Sequence, residues 1–376
     1  MDFSYSTEQE KFRAKVQEFV RKEVAPGAMK RDKEARFPME IFNRLSQLGY
    51  TGVSIPSEYG GADSGCMEYA IVLEELGKVC SSTACLLNEH YIAQRSILVL
   101  GEQEQKLKYL GDLANGRKIG TFAGTEISSG SDIRLFETIA DEDNDQFVLN
   151  GKKAYINNAL EAGIYIVVAK TKYGTDFFIV EKGTPGLSIG RRFFPIGMRA
   201  ATVYEVVLSN CRVSRKSLMG KPGQGIKGYG EVFNFARIGE TSLCIGLAEA
   251  ALQGAIEYAS KRKVAIGVVT DFQVIRHKIA DITTRIEASR LLRDKAAWLI
   301  DTGQMSPKET SMARLMASET AMTAALEAIQ ICGAYGLMED VPLERYMRDA
   351  KIWGIGGGTL EIQKNTIAKY VIPKSS

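Results

Sequence analysis

Histidine is scarce in this chain, with only His90 and His277 among 376 residues. Lacking any carboxylate–histidine cluster, the sequence is not expected to hold a catalytic metal. His277 reads as a surface or interface residue and His90 as a structural one. The six cysteines (Cys66, Cys80, Cys85, Cys211, Cys244 and Cys332) are scattered, show no Cys-x-x-Cys spacing and lie mostly in apolar stretches. They read as reduced, buried thiols rather than a disulfide framework. Excess charge is also missing: a net +3 gives no case for nucleic-acid binding. No window approaches the roughly 18 uninterrupted apolar residues of a membrane span. The opening Met1-Asp2-Phe3 shows no basic-then-apolar leader. A cytoplasmic protein with no membrane partner is expected. Internal repeats and low-complexity tracts are absent as well.

What is present is ordinary globular material, 45% hydrophobic and 25% charged, long enough for two or three packed units. The first third reads helical. Ser6-Thr7-Glu8-Gln9 offers a capping box, and Phe12, Val16, Phe19 and Val20 follow at i, i+4, i+7 and i+8. Ile55-Pro56-Ser57-Glu58-Tyr59-Gly60-Gly61 interrupts this run, and further helices are expected over 66–79 and, in pieces, 82–114. Near residue 120 the pattern turns to strands. Phe147-Val148-Leu149 and Ala154-Tyr155-Ile156 flank Asn150-Gly151, which predicts a tight hairpin there. Ile164–Ala169, Phe177–Val180 and Tyr204–Leu208 read as further strands. From about 227 the helical period returns, with Ile275, Ile279, Ile282 and Ile286 striping one helix. Long helices are expected to continue to Tyr335, with a short terminal one from Leu360. The fold class is therefore α+β, in three domains: helical over 1–118, β-rich over 119–226 and helical over 227–376.

Five segments stand out across nearly the whole chain. The first is Thr125-Glu126-Ile127-Ser128-Ser129-Gly130-Ser131-Asp132, whose small residues let a backbone approach a flat ring and a phosphate. The second is Lys153-Ala154-Tyr155-Ile156-Asn157-Asn158, with Asn157 where threonine or serine is common. The third runs from Tyr258 to Asp281 and includes Arg262 and Gln273, with Val264-Ala265-Ile266 in place of Gln-Phe-Gly. The fourth is Gln330-Ile331-Cys332-Gly333-Ala334-Tyr335-Gly336, where Ala334 replaces a glycine. The fifth is Arg348-Asp349-Ala350-Lys351-Ile352 with the Gly356-Gly357-Gly358-Thr359 that follows. Together these segments resemble the flavin-dependent acyl-CoA dehydrogenase family, and the resemblance implies a helical domain, a β-barrel-like middle domain and a C-terminal four-helix bundle. It implies FAD held by Thr125, Ser131, Tyr155, Asn157, Thr359 and Glu361. Arg262 and Gln273 would hold the FAD of a neighbouring subunit, and Gln330, Gly333 and Ala334 would bind cofactor at the dimer contact, so a homodimer or homotetramer is implied. Ser131, Asn234, Arg237 and Gly356 would border the substrate.

The same resemblance exposes a gap. Where the family reads Tyr-Glu-Gly, with the glutamate removing the α-proton of an acyl thioester, this chain reads Gly356-Gly357-Gly358. Gly357 keeps only its N–H, which would still stabilise a developing enolate. Some relatives carry the glutamate just before an arginine on the first helix of the last domain. Here Arg237 is kept but Ala236 precedes it. Glu240, four residues past Ala236 and one helical turn along, is the candidate base. It stands before an apolar stretch that would raise its pKa. Glu240 also reads as a buried partner of Arg237 or as a solvent-facing residue.

The activity implied is FAD-dependent dehydrogenation of an acyl thioester, bound to CoA or to an acyl carrier protein, in specialised metabolism. Electrons would leave to an acceptor flavoprotein or to oxygen. Oxidase or monooxygenase chemistry, a non-redox rearrangement, and a non-catalytic flavoprotein subunit are the alternatives.

Overall fold

The structure is a computed structural model that describes residues 5–265, 267–304 and 306–373. Met1-Asp2-Phe3 and Ile266 lie outside the described residues. Helix α1 (Thr7–Phe19) starts at the anticipated capping box, with Ser6 and Gln9 each bonding the other's backbone N–H. It buries Val16 and Phe19. Short helices α2 (Ala28–Glu34) and α3 (Met39–Gln47) follow, then α4 (Cys66–Val79), α5 (Ser81–Leu100) and α6 (Gln103–Ala114).

The middle region is a curled sheet of seven strands: β1 (Gly120–Ala123), β2 (Ile139–Asp143), β3 (Gln146–Asn157), β4 (Ile164–Thr171), β5 (Gly174–Glu181), β6 (Leu187–Phe193) and β7 (Val203–Ser214). Neighbours run β1-β4-β2-β3-β7-β6, with β5 also on β4. The side-chain alternation of β4 explains why both faces are apolar. Tyr165, Val167 and Ala169 fill the inside of the curl, while Ile164, Ile166 and Val168 pack with Ala93 and Ile97 of α5 and Leu110 and Leu113 of α6.

The predicted Asn150-Gly151 hairpin is not there. Both residues lie inside the continuous strand β3, at a bulge in its register with β7. Gly151 takes φ +156°, and a Cβ there would collide with Thr138. Asn150 accepts the Asn210 N–H at 2.8 Å. A glycine that permits a bulge and one that permits a turn look alike in sequence. The actual turn falls between β2 and β3, with Asn144 at φ +53°.

The last region opens with α7 (Gly225–Ala259), 35 residues and so about 52 Å long. A two-strand ribbon, β8 (Lys263–Val264) and β9 (Gly267–Val268), leads to α8 (Gln273–Asp301) and α9 (Pro307–Cys332). Then come α10 (Leu343–Trp353), which the sequence reading did not separate, and α11 (Leu360–Val371). Ile282 and Ile286 are buried, and Ile275 and Ile279 pack against the same core. All six cysteines are free and buried. Among the described residues no helix is long and apolar enough to cross a membrane.

A buried ionic knot ties the first helices to the last bundle. Glu74 of α4 receives Arg13 of α1 at 2.9 Å, Arg290 of α8 at 2.9 Å, and Arg293. Burial alone would raise the Glu74 carboxyl, but the three guanidinium groups outweigh it and hold the pKa at about 2. A carboxylate depressed in the folded state adds stability above its unfolded pKa of about 4.3, and that stability is lost as pH falls toward about 2. Glu74→Gln should therefore cost about 3–5 kcal/mol at neutral pH, because it strands buried guanidinium charge. Urea titration at pH 7 and pH 3 checks this: the gap between wild type and variant should shrink at pH 3. A constant gap would be evidence against it.

Candidate active site

Two of the singled-out segments meet at the sheet edge. Lys153 of β3 and Glu126 of the loop after β1 form a fully buried pair at 2.7 Å. Lys153 also donates to the Gly124 carbonyl at 3.0 Å, and Ala154 N–H donates to the Thr125 carbonyl at 2.8 Å. Glu126 in turn accepts from the Thr138 N–H and hydroxyl, 3.0 and 2.6 Å away. The loop from Thr125 to Asp132 is thus pinned at Glu126, and Ser131 near its end is exposed. With Asp132, Ile133, Ile226 of α7 and Ile362 of α11 it lines an open cleft of about 480 Å³. Tyr155 sits at a β-bulge with φ +59°, its ring 53% exposed and tilted against Phe193. Asn157 donates its side-chain amide to the Cys85 thiol at 3.4 Å. Thr359 caps α11 by accepting from Ile362 N–H, and Glu361 is exposed in the first turn.

The segment Arg348-Asp349 works as a clasp. Arg348 pairs with Asp32 at 2.8 Å and donates to the Ile196 carbonyl at 3.2 Å. Asp349 accepts the Met198 N–H at 2.5 Å. Helix α10 is so fixed to both other regions, and the turn after it, Gly354 to Gly358, is held in register.

That turn meets Glu240. Gly357 has φ +68°, and a Cβ built on it would land in the Glu240 carboxylate, 2.5 Å from Oε2 and nearer still to Oε1. The carboxylate of α7 occupies the space where a side chain at position 357 would begin. The Gly357 N–H donates to no described residue. Glu240 is paired, but not with Arg237 as read from the sequence. Its Oε2 accepts from Arg314 Nε of α9 at 2.8 Å, and Arg314 also donates to the carbonyls of Trp353 at 2.6 Å and Gly356 at 2.9 Å. Arg237 turns instead to the Asn234 side-chain oxygen at 3.0 Å. Burial raises the Glu240 carboxyl above the usual range, although Arg314 and then Arg237 pull it down. Buried donors are left over here: Asn234 Nδ2, Arg237 Nε and Arg314 Nη1 have no partner among the described residues. Sequence reasoning missed Arg314, whose only signal is an arginine set among Ala313, Ala317 and Ala321 on a buried helix face.

The other expected residues lie elsewhere. Arg262 and Gln273 are exposed beyond the far end of α7, and neither side chain has a partner among the described residues. Exposed Gln330, Gly333 and Ala334 lie at the end of α9, where Tyr335 stacks on Tyr258 with ring centroids 4.9 Å apart. These residues form a second cluster, about 50 Å along α7 from the cleft. His277 is exposed and His90 is buried, held by the Leu113 carbonyl and the Gly120 N–H.

Comparison with known proteins covers the whole chain. Residues 6–117, 121–211 and 223–372 match the N-terminal, middle and C-terminal domains of acyl-CoA dehydrogenase. An acryloyl-CoA reductase (NADH) of Anaerotignum propionicum is 39% identical, over 100% of this chain and 97% of that protein. An acyl-CoA dehydrogenase of Bacillus subtilis is 38% identical, over 97% and 98%. Among solved structures, butyryl-CoA dehydrogenase of Megasphaera elsdenii superposes with TM-score 0.97 at 34% identity, covering 99% of this chain and 100% of that one. The prolyl acyl carrier protein oxidase AnaB does so with TM-score 0.94 at 34%, covering 98% and 100%. A glutaryl-CoA dehydrogenase of Mycobacterium smegmatis in complex with FADH2 gives 0.94 at 25%, covering 99% and 96%.

Proposed function

This chain belongs to the acyl-CoA dehydrogenase family, and from that premise we propose that it dehydrogenates an acyl thioester with Glu240 as the base. The carrying observation is the Glu240 carboxylate lying in the space that a side chain at position 357 would take. Its cofactor is FAD. The residues present fit that group: an open cleft edged by Ser131, apolar surface at Ile226 and Tyr155, and a loop anchored by Glu126 and Lys153. Thr125, Ser131, Tyr155, Asn157, Thr359 and Glu361 would hold it. FAD bound there would supply the hydride acceptor for the β-hydrogen.

The chain's own part is the α-proton. Glu240 takes it, and the electron pair of that C–H bond becomes the new double bond as the β-hydrogen leaves. A carboxylate lifted by burial is a stronger base than one in water. The free Gly357 N–H receives the thioester carbonyl, where negative charge develops. Asn234 and Arg237, each with an unpartnered buried donor, and the Gly356 backbone border the same acyl group. We extend the substrate class to carrier-protein thioesters of specialised metabolism, a reading that the likeness to AnaB supports. Electrons pass on to an acceptor flavoprotein or to oxygen. Anaerobic titration with acyl-CoA and acyl-carrier thioesters tests the reading: one class should bleach the bound flavin. A flavin that no thioester reduces would remove it.

Arg262, Gln273, Gln330, Gly333 and Ala334 serve the FAD of a second copy, since about 50 Å of helix separates them from their own cleft. A homodimer or homotetramer follows. Arg262→Ala should weaken FAD retention on the order of 10–100-fold, the worth of a charge-assisted pair to the pyrophosphate. Flavin content after gel filtration at rising dilution, beside sedimentation analysis, measures it. Unchanged flavin content would exclude this role.

A further inference from the structure

Across from Glu240 the structure holds a second carboxyl group, Glu89, that no part of the proposed chemistry uses. It lies on α5, one turn past Cys85, whose thiol takes the Asn157 amide at 3.4 Å. Its neighbour Asn88 accepts the Tyr69 hydroxyl, and a Cβ on Gly239 would meet both of those groups, so α5 presses on α7 directly beside Glu240. Glu89 thus lies near Cys85, which meets the Asn157 end of β3, and within reach of the charge of Glu240. Protein packs densely around it, yet it keeps accessible surface, as a residue lining a cleft does.

Its lack of a partner sets it apart. Buried Glu74, Glu126, Glu240 and Asp349 each meet a cation or a backbone N–H. Glu89 makes no hydrogen bond or ion pair with any described residue. The guanidinium groups beside Glu240 turn to other partners, Arg237 to Asn234 and Arg314 to Glu240 and two carbonyls, and neither makes a hydrogen bond or ion pair with Glu89. Burial, then the charge of Glu240, raises the Glu89 carboxyl to about 8. Enclosing such a group beside a purely aliphatic chain leaves it unsatisfied, whereas a ligand cation would complete a pair like that of Arg314 with Glu240.

We propose that Glu89 selects the acyl group, and that the thioester this cleft accepts carries an amine close to its reacting carbons. This rests on the reading that the acyl thioester lies beside Glu240. The ammonium would sit on Glu89 while Glu240 faces the α-carbon, so that one carboxylate recognises and the other reacts.

Binding of two thioethers that cannot be oxidised tests it: S-(2-aminopropyl)pantetheine and S-isobutylpantetheine, alike except for amine against methyl. Calorimetry on the FAD-loaded protein should show the amine bound at least about tenfold more tightly, the worth of one charge-assisted bond. Glu89→Gln and Glu89→Leu should each remove that preference and leave the isobutyl probe nearly unchanged. Flavin content and thermal melting verify that both variants fold. Equal affinity in the wild type, a preference that survives both variants, or binding of neither probe would overturn the assignment. The dehydrogenation reading is judged separately by anaerobic flavin reduction with full thioesters. No reduction beside an intact amine preference would sink that reading and leave Glu89 in place.

Discussion

Glu240→Gln is expected to keep its FAD and to lose on the order of 10²–10⁴-fold in the rate at which an acyl thioester reduces the flavin. Glutamine can still accept from Arg314 Nε, so the anchor between α7 and α9 is largely kept while the proton acceptor is gone. This choice matters because alanine would strand a buried guanidinium and confuse lost chemistry with lost structure. The pH profile separates the two further. The base works ionised, and burial raises its pKa, so wild-type flavin reduction should rise with pH across that elevated carboxyl range and then level off. The variant should be slow and should lack that rise. Stopped-flow reduction under anaerobic conditions measures both. If Glu240 served only as the structural partner of Arg314, the variant would melt earlier and reduce its flavin at the wild-type rate, which would end its assignment as base.

The sequence carried the architecture well because its signals were local. The capping box at Ser6, the apolar stripe of α8 and the Ile-Val-Val run of β4 each depend on neighbours a few residues away. It failed where distant groups decide. Asn150-Gly151 carries the local chemistry of a turn, but Thr138 and β7 place it in a bulge. Glu240 was legible from its spacing to Ala236, yet its partner was not, because Arg314 stands 74 residues away on another helix. The sequence reads His90 as structural and gives no signal for Glu89 before it. In the fold His90 is tied to two backbone groups, and Glu89, without a partner among the described residues, is the one that feels the charge of Glu240. Sequence identifies which groups can titrate; only packing shows which of them are left without a partner.

The relation between positions 240 and 357 can be tested by exchanging them. Gly357→Glu alone should be poorly stable and inactive. Its Cβ would enter the Glu240 carboxylate, and a second buried acid would share one guanidinium. Position 357 also stands at φ +68°, which costs a non-glycine residue about 1–2 kcal/mol. Glu240→Gly alone should lack a base and melt early, because it strands the buried Arg314 guanidinium and puts a glycine inside α7. Combined, the two changes relieve the collision and return one carboxylate to the cavity from the other side of the turn, close enough for Arg314 to pair with it. The double variant should therefore melt above Gly357→Glu and reduce its flavin at least about tenfold faster than either single variant, a coupling of about 1.4 kcal/mol or more. Thermal melting and single-turnover reduction of all four proteins complete the cycle. Additive losses would mean that the carboxylate at 240 does not stand in for one at 357. Recovery would show that a single cavity, with Arg314 on one wall and the Gly357 N–H on another, accepts its base from either chain position.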